Sequence, residues 1–226
     1  MREVLVNRYP KSSVTEAIKI VRTNLKFSSV NSKIQTILIT SSVANEGKSF
    51  VSANLAASFA NNTDNVLLVD CDLRRGRILE LFTGSREPTL GLSNLLIDNN
   101  WKKNLQNYIR KTDVYNLDIL TTGSIPPNPG ILLESKKIEE VIKYLRGKYN
   151  IIIFDTPPVI GLNDALSVSR LADTALIVAR SKKTSIDTLE ATKEALENVN
   201  VPIAGIILNR VDTKNKNYYK NYYETY

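Results

Sequence analysis

The stretch Thr36-Ile-Leu-Ile-Thr-Ser-Ser-Val-Ala-Asn-Glu-Gly-Lys-Ser49 decides the predicted fold. Its beginning is apolar and β-branched, which predicts a buried strand, and the residues from Lys48 onwards predict a helix. Gly47-Lys48-Ser49 is the second half of a P-loop, where N–H groups at a helix N-terminus bind phosphates. Ser42 replaces the usual first glycine, and we expect Asn45 to take a left-handed conformation. The stretch therefore predicts a phosphate-binding loop.

The remaining sequence continues this alternation of short apolar runs and helical patterns. It predicts an α/β fold with a doubly wound, mostly parallel sheet and helices on both faces. The expected strands are Thr36–Thr40, Val66–Asp70, Leu117–Leu120, Ile151–Asp155, Thr174–Ala179 and Gly205–Asn209. The expected helices are Ser13–Phe27, Lys48–Asn61, Gly91–Ile97, Leu132–Arg146, Asn163–Leu171 and Ser185–Asn198. Such sheets bind ligands at the carboxyl ends of their strands.

Composition limits the possible chemistry. The 226 residues include no histidine and one cysteine, Cys71, which excludes histidine-based catalysis and an internal disulfide. We find neither a signal peptide nor an apolar run of about 20 residues, so we expect a cytoplasmic protein. The net charge is +7, but the lysines are dispersed along the sequence and no aromatic-basic nucleic-acid motif is present. We therefore do not expect a nucleic-acid partner.

Three aspartates follow two of the predicted strands. Asp70 and Asp72 end the run Val66–Asp72, and Asp155 ends the run that begins at Ile151. An aspartate at this position can hold Mg²⁺ or its water ligands beside the P-loop serine. The alternative is that such an aspartate only caps the turn that follows its strand. Because all three belong to one sheet edge, we favour a metal-phosphate site.

The C-terminal segment, residues 213–226, has a different composition. It is polar and without apolar periodicity, and we expect it to be disordered. Five of the ten tyrosines lie in its last nine residues. Because buried tyrosines normally sit in a core with a partner for each hydroxyl, packing does not explain this cluster. The cluster is typical of a substrate that the chain carries itself, if the P-loop serves phosphoryl transfer. The five tyrosines are Tyr218, Tyr219, Tyr222, Tyr223 and Tyr226.

With these motifs together, the chain resembles the bacterial tyrosine kinase (BY-kinase) family of capsule and exopolysaccharide systems. The resemblance covers nearly the whole chain and rests on five features. They are the P-loop, Val69-Asp-Cys-Asp-Leu-Arg74 as a second (A′) Walker motif, Phe154-Asp-Thr-Pro-Pro158 as Walker B, Gly123-Ser-Ile-Pro-Pro-Asn-Pro129, and the tyrosine cluster. It implies a P-loop NTPase of the partition-ATPase-like subgroup, with a kinase domain at 1–212 and a flexible tail at 213–226.

The resemblance also implies the cofactors ATP and Mg²⁺ and a set of site residues. Catalytic roles fall to Lys48, Asp70 and Asp72, with Asp70 positioned to accept the proton of an incoming tyrosine. Metal ligands would be Ser49, Asp72 and Asp155. Nucleotide-binding residues would be Ser42, Val43, Ala44, Asn45, Glu46, Gly47, Lys48, Ser49, Phe50 and Asn209. The five tail tyrosines would be the phosphoacceptors, modified in trans by a neighbouring subunit.

Partners follow from the same resemblance. The family's oligomerisation motif is Glu-x-x-Arg-x-x-Arg, which Glu16 and Arg22 match and Lys19 alters. At this spacing the three residues share one face of the first helix (13–27), and the family forms rings. The family further implies a membrane-embedded activator or chain-length determinant that acts through its cytosolic end, and a cognate tyrosine phosphatase. The expected location is the cytoplasm, with recruitment by this activator to the inner membrane face.

Three alternatives remain. A partition-type switch ATPase without kinase activity has the same fold, but Val43 stands where that group carries its signature lysine. A GTPase is suggested by Asn209-Arg-Val-Asp212, which approximates the guanine-binding Asn-Lys-x-Asp. We favour adenine, because the kinase family also has an asparagine and a basic residue there. A pure interaction module would use the tail as an aromatic docking segment but would not need the three aspartates.

Overall fold

The computed structural model describes residues 4–28, 34–62, 64–87 and 89–212. These residues form a seven-stranded sheet in the order β3-β4-β2-β5-β1-β6-β7. All neighbouring strands are parallel except β3 and β4, which are antiparallel. The strands are β1 Thr36–Ser41, β2 Val66–Asp70, β3 Ile109–Lys111, β4 Leu117–Leu120, β5 Ile151–Asp155, β6 Thr174–Arg180 and β7 Ile203–Asn209. The predicted α/β fold with a mostly parallel sheet is confirmed.

Helices accompany the strands in the described ranges. The longer ones are α2 Ser13–Ser28, α3 Lys48–Ala60, α8 Lys136–Arg146 and α10 Ile186–Asn198. The shorter ones are α1 Leu5–Arg8, α4 Ile78–Thr83, α5 Leu92–Ile97, α6 Trp101–Asn104, α7 Pro129–Glu134 and α9 Asp164–Ser169, with a 3₁₀ turn at Leu105–Asn107. Within the described ranges, no helix is long and apolar enough to cross a membrane.

The core explains why the central strands are almost continuously apolar. Alternate residues of a strand point to opposite faces of the sheet, and both faces are covered here. In β5, Ile152 and Phe154 enter a cluster with α8, whereas Ile153 enters a cluster with α3. All three are fully buried. Burying such a side chain contributes about 1.5–3 kcal/mol, so the core fixes the positions of the strand ends that carry the aspartates.

One helix prediction is wrong, and several short elements, namely α1, α4, α6 and β3, were not predicted. The helix predicted at Leu132–Arg146 is two helices, because Ser135 between α7 and α8 has extended backbone dihedrals. The Ser135 hydroxyl donates a hydrogen bond to Leu132 O at 2.7 Å and stabilises this break. The first of these helices begins at Pro129, whose fixed φ suits a helix start. β3 was not predicted, because three residues with one apolar side chain give no strand pattern.

The division at residue 212 stays a prediction. The described part of the chain ends with Asp212, three residues after β7. The tail at 213–226 and its five tyrosines lie outside the described residues. The flexibility of this segment therefore stays a prediction.

Candidate active site

The P-loop lies between β1 and α3 at the carboxyl edge of the sheet. Asn45 has φ 65°, so its predicted left-handed conformation is confirmed. Gly47 caps α3 with φ 98°, a conformation that side-chain-bearing residues rarely adopt. A Cβ atom at Gly47 would collide with the side-chain amide of Asn209. The loop therefore needs glycine at 47 both for its dihedral angles and for the close approach of β7.

The buried residue Glu46 stabilises this loop through hydrogen bonds. Its side chain is only 2% exposed, and its carboxylate accepts hydrogen bonds from Val43 N at 3.0 Å and from the Thr184 hydroxyl. The Asn209 amide donates to the Glu46 main-chain oxygen at 2.9 Å. Arg180 N donates in turn to the Thr184 hydroxyl at 2.8 Å. The loop is thereby tied to the ends of both β6 and β7.

A cavity of about 730 Å³ opens beside the P-loop. Of the predicted nucleotide-binding residues, those that line it are Ala44, Asn45, Gly47, Lys48, Ser49, Phe50 and Asn209. Ser42, Val43 and Glu46 do not line it. Ser42 is buried and accepts a hydrogen bond from the Thr192 hydroxyl at 2.8 Å. The side chains of Ser42 and Glu46 thus build the loop, and direct nucleotide contact by these three residues stays a prediction.

Asp155 lies next to the phosphate-binding side of this cavity. The carboxylate is fully buried, and the Ser52 hydroxyl of α3 donates to its Oδ1 at 2.8 Å. Burial raises the pKa of Asp155 to about 6, although the Ser49 hydroxyl, the Lys48 ammonium and the Ser52 hydroxyl all act to lower it. Its Oδ2 has no hydrogen-bond partner among the described residues. A buried carboxylate oxygen without a partner is costly, and a cation beside it would remove that cost.

Asp70 and Asp155 are direct partners in the register of β2 and β5. Asp70 is buried and does not line the cavity. Its Oδ1 accepts from Asp72 N at 3.2 Å, and its Oδ2 accepts from Ile78 N at 3.0 Å. Burial, followed by the charge of Asp155, raises the pKa of Asp70 well above the usual range. Two adjacent buried carboxyl groups favour a positive ion between them and the phosphates.

Asp72 is the member of the predicted trio that reaches the cavity. It follows β2, and its Oδ1 accepts a hydrogen bond from Arg75 N at 2.9 Å, which fixes the turn. The Asp70 contact to its backbone fixes the start of the same turn. The capping role is therefore observed for both aspartates. Asp70 accepts hydrogen bonds from backbone N–H groups with both oxygens, whereas Asp72 uses one oxygen in this way and lines the cavity.

The residues fit a magnesium ion that is bound together with a nucleotide. The described ranges contain no group of three or more His, Cys, Asp or Glu side chains that could hold a metal by themselves. Mg²⁺ typically uses one or two carboxylates and completes its octahedron with phosphate oxygens and waters. The partnerless Asp155 oxygen beside the Ser49 hydroxyl matches that donor set. The chemistry of this edge therefore agrees with the expected ATP–Mg²⁺ pair.

The A′ motif is anchored at its end by an ion pair. Arg74 donates to Asp164 of α9, with Nε–Oδ2 at 2.8 Å and Nη2–Oδ1 at 3.3 Å. The Asp164 side chain is 4% exposed, whereas that of Arg74 is 42% exposed, so the bidentate pair joins a buried carboxylate to a guanidinium at the surface. Arg74 also lines a second cavity of about 370 Å³, together with Gly130 and Ile131 of α7. The Gly123–Pro129 motif leads directly into α7.

The predicted oligomerisation residues do not share one free face. Glu16 and Lys19 form an exposed ion pair within α2 at 2.8 Å. Arg22 is turned towards α3 instead, where its Nη1 donates to Ser58 O at 2.8 Å and lies 3.4 Å from the Ser58 hydroxyl. This guanidinium therefore joins two helices of the same chain. Whether these residues also contact a neighbouring subunit stays a prediction.

Comparisons with known proteins identify the family. A family model described as an AAA domain matches residues 34–204. Tyrosine-protein kinase YwqD of Bacillus subtilis (strain 168) is 36% identical over 208 residues, which cover 92% of this chain and 86% of YwqD. The chain belongs to the bacterial tyrosine-protein kinase family. The family resemblance that the motifs indicated is thereby confirmed.

Two further comparisons refine the membership. The solved kinase domain of Escherichia coli Etk has a TM-score of 0.83 and 32% identity, over 93% of this chain and 82% of that domain. Full-length Etk of strain K12 is longer, and the chain spans 27% of it. MinD from Pyrococcus horikoshii OT3, solved with Mg-ADP, gives a TM-score of 0.65 and 27% identity, over 78% and 70% of the two chains. The partition-ATPase-like fold is confirmed, and the kinase interpretation is favoured over the switch ATPase.

Sequence reasoning missed two contributors to the site. Thr184 holds Glu46 from a position 138 residues further along the chain. Asp164 anchors the A′ motif from 90 residues away. Neither belongs to a local motif, so only the three-dimensional pairing reveals them. The Gly-Lys-Ser motif and the aspartates at the strand ends could be predicted from the sequence. These residues are adjacent in the chain to the strands and the helix that position them.

Proposed function

We propose that this chain is a protein tyrosine kinase that uses ATP and Mg²⁺ and phosphorylates tyrosines in its own C-terminal segment. One observation carries this proposal. The buried Asp155 carboxylate, with one oxygen left without a partner, lies beside Lys48 and Ser49 of a P-loop that is already folded. This arrangement supports a Mg²⁺-nucleotide site, and the similarity to tyrosine-protein kinase YwqD supports a tyrosine as the phosphoryl acceptor.

The residues divide the work as follows. Lys48 and the N–H groups of the loop would bind the phosphates, and Ser49, Asp72 and Asp155 would hold Mg²⁺ or its water ligands. Mg²⁺ bound there would supply positive charge next to the transferred phosphoryl group. Asp72 lines the cavity and would orient the acceptor hydroxyl. Asp70 was expected to accept the tyrosine proton, but both of its oxygens accept hydrogen bonds from backbone N–H groups and it does not line the cavity, so we assign it to fixing Asp72 instead. Orientation matters more than full deprotonation, because a phenol of pKa about 10 is a weak acid for a carboxylate base.

The acceptors in this proposal are the five tail tyrosines of a neighbouring subunit. A segment of 14 residues spans at most about 46–50 Å when extended, which permits delivery into another chain's cavity. Glu16 and Lys19 would contribute to the contact between subunits, and Arg22 would support α2 from within. A ring of such subunits would place each tail close to the next active site.

Transfer between subunits is tested by mixing two variants. A full-length Lys48→Met chain keeps the tail but lacks the phosphate-binding ammonium, while an active chain is truncated after Asp212. Incubation with ATP and Mg²⁺ followed by mass spectrometry of the C-terminal peptide should find phosphate on the Lys48→Met chain. If its tail remains unmodified while the same tail is modified in the wild-type chain alone, transfer is not between subunits.

The partner is also a proposal. Following the family resemblance, we infer that the cytosolic end of a membrane protein recruits and activates this kinase, that a tyrosine phosphatase reverses the modification, and that the cycle regulates capsule or exopolysaccharide synthesis and export. The purified chain should then be weakly active by itself and gain activity with the activator's cytosolic peptide. Strong tail phosphorylation without any peptide would contradict the need for a partner but not the kinase activity.

A further inference from the structure

An aromatic pair lies on the outer helical layer, away from the cavity beside the P-loop. Trp101 of α6 and Tyr144 of α8 contact each other edge to face, with ring centroids 5.3 Å apart and planes at 86°. Trp101 is almost completely buried, whereas Tyr144 is 36% exposed. Neither residue lines the P-loop cavity. The phosphoryl-transfer site therefore does not account for this pair.

Three lysines surround the two rings. The Lys102 ammonium lies 5.6 Å from the Trp101 centroid and 5.9 Å from the Tyr144 centroid. Lys137 lies 5.8 Å from Trp101, and Lys148 lies 5.1 Å from Tyr144. We call these five residues the lysine-aromatic cluster. Although the lysines are separated in sequence, the packing of α6 against α8 gathers them around one pair of rings.

The positive charges of this cluster are only partly balanced locally: hydrogen bonds from Asn104 and other groups lower the pKa of Asp98, and the charge of Lys137 contributes to that shift. No ion pair joins any of its three lysines to an acidic side chain in the described ranges, where most of the other ion pairs use arginine. Each ammonium group lies within about 6 Å of the centroid of one of two touching rings, and an anion bound among these groups would be attracted by all three charges. Tyr144, which is 36% exposed, adds a surface on which a further aromatic ring can pack. The cluster thus combines the two features that recognise an aromatic anion.

We propose that the lysine-aromatic cluster binds phosphotyrosine from the segment 213–226, of the same chain or of a second copy. This rests on the proposed function, in which that segment becomes phosphorylated. The phosphate, with a charge of about −1.5 to −2, would lie among the ammonium groups, and the phenyl ring would pack against Tyr144. The unmodified segment carries three lysines and one glutamate, so it is repelled. Phosphorylation reverses its sign and creates the attraction.

The segment is long enough for this contact. Its 14 residues extend to at most about 46–50 Å, whereas a domain of this size has a radius of gyration of about 17 Å. A phosphorylated tail held at the cluster would be withdrawn from the cavity beside the P-loop. The lysine-aromatic cluster would thereby hold the phosphorylated segment and leave the active site free for another tyrosine.

Tryptophan fluorescence tests the proposal directly, because Trp101 is the single tryptophan of the chain. The full-length Lys48→Met chain is titrated with a synthetic 213–226 peptide phosphorylated at Tyr222 and Tyr223, and separately with the unmodified peptide. A fluorescent label on the peptide gives anisotropy as a second readout. We expect the phosphopeptide to bind at least about 10-fold more tightly. Equal affinities of the two peptides would overturn the proposal.

Matched charge variants locate the binding surface. Replacement of Lys102, Lys137 and Lys148 by Gln should weaken phosphopeptide binding at least about 10-fold, whereas Lys11→Gln, Lys183→Gln and Lys193→Gln together should leave it unchanged. Equal losses in the two triple variants would indicate only a general effect of net charge and would overturn the assignment. Thermal unfolding and far-UV circular dichroism establish that both variants are folded.

Two further binding experiments test whether the cluster recognises other anions. Inorganic phosphate should not displace the phosphopeptide at equal concentration, because it lacks the ring. Binding of phosphatidylglycerol vesicles without binding of the phosphopeptide would identify a lipid surface and contradict the proposal. Since the peptides are synthetic, these measurements do not depend on catalysis. A chain that fails to phosphorylate its tail refutes the proposed function, whereas a phosphopeptide that fails to bind refutes only the docking site.

Discussion

The two halves of the active-site edge differ in how complete they are. In the phosphate-binding half, the Glu46 carboxylate and main-chain oxygen both have partners, and Asn45 and Gly47 already hold their left-handed conformations. In the acidic half, Asp70 and Asp155 are buried side by side, and Asp155 Oδ2 has no partner in the described chain. The protein thus completes the phosphate-binding half with its own backbone and side chains, and leaves the metal-binding half to be completed by a ligand.

The two halves therefore differ in how their functional groups affect the stability of the folded protein. Preorganised N–H groups bind phosphate without reorganisation, and their loop also stabilises the fold through ordinary hydrogen bonds. A buried pair of carboxylates lowers the free energy of unfolding, because burying their charges is unfavourable unless a cation is bound beside them. Substitutions in the two halves should therefore change stability in opposite directions while both reduce activity.

Asp155→Asn should have the largest effect on activity. The amide cannot supply the negative charge that holds Mg²⁺, and we expect phosphoryl transfer to fall about 100-fold or more. The unfolding temperature without ligand should stay the same or rise, because one of two adjacent buried carboxylates is removed. Kinase assays and thermal unfolding with and without Mg²⁺-ATP measure the two effects. A clearly lower unfolding temperature in the absence of ligand would contradict the view that the buried carboxylate pair destabilises the fold.

Gly47→Ala acts on the other half. The new Cβ requires an unfavourable positive φ and collides with the Asn209 amide, so the loop must shift. The conformational cost of about 1–2 kcal/mol predicts roughly 10-fold weaker ATP binding, together with a lower unfolding temperature. Gly84→Ala is a useful control, because Gly84 has φ 76° but nothing within 4 Å of its Cβ position. Isothermal titration with ADP and Mg²⁺ should separate the two variants.

Thr184→Val should produce a smaller loss. It removes the hydroxyl that donates to the buried Glu46 carboxylate, and an unpaired buried acceptor costs about 1–3 kcal/mol. Part of this cost will appear as about 3–10-fold weaker nucleotide binding, with kcat less affected. Thr184→Ser should restore the affinity. The exposed Thr83→Val serves as control. If Ser does not rescue binding, loss of the hydroxyl is not the cause.

Asp173→Asn should leave activity unchanged, because Asp173 lies at the opposite edge of the sheet. Its carboxylate accepts from Gln35 N, Thr36 N and the Arg146 guanidinium, all at 2.8 Å. Burial acts to raise the pKa of Asp173, but these hydrogen bonds outweigh it and lower the pKa. The ionised group therefore stabilises the fold above the unfolded-state pKa of about 3.9.

The expected loss in Asp173→Asn is about 1–2 kcal/mol at neutral pH. The stability difference from the wild type should disappear as pH falls through the lowered pKa of Asp173, below about 4. Urea unfolding at pH 7 and pH 3 measures it. A difference that persists unchanged at pH 3 would show that the contribution does not come from ionisation.

The sequence predicted the strands of the parallel sheet and the P-loop because each is a contiguous pattern. Asn45 was predicted as left-handed from its chemistry alone. Ser135 was missed, since the apolar periodicity continues on both sides of it and one local hydrogen bond makes the break. Thr184 could not be found, because it reaches Glu46 only after β6 and β1 pair. The lysines of the lysine-aromatic cluster look scattered until α6 packs on α8.

The position of β7 has one further consequence. β7 is an edge strand, bound to β6 on one side, and Ile206 and Leu208 are more than half exposed. Edge strands with few buried contacts open locally more often than the central sheet. Each opening of its last residues would take the Asn209 amide away from Glu46, so fluctuations of the strand limit how long the loop keeps its shape. Amide hydrogen exchange at the end of β7 should therefore slow down when nucleotide binds.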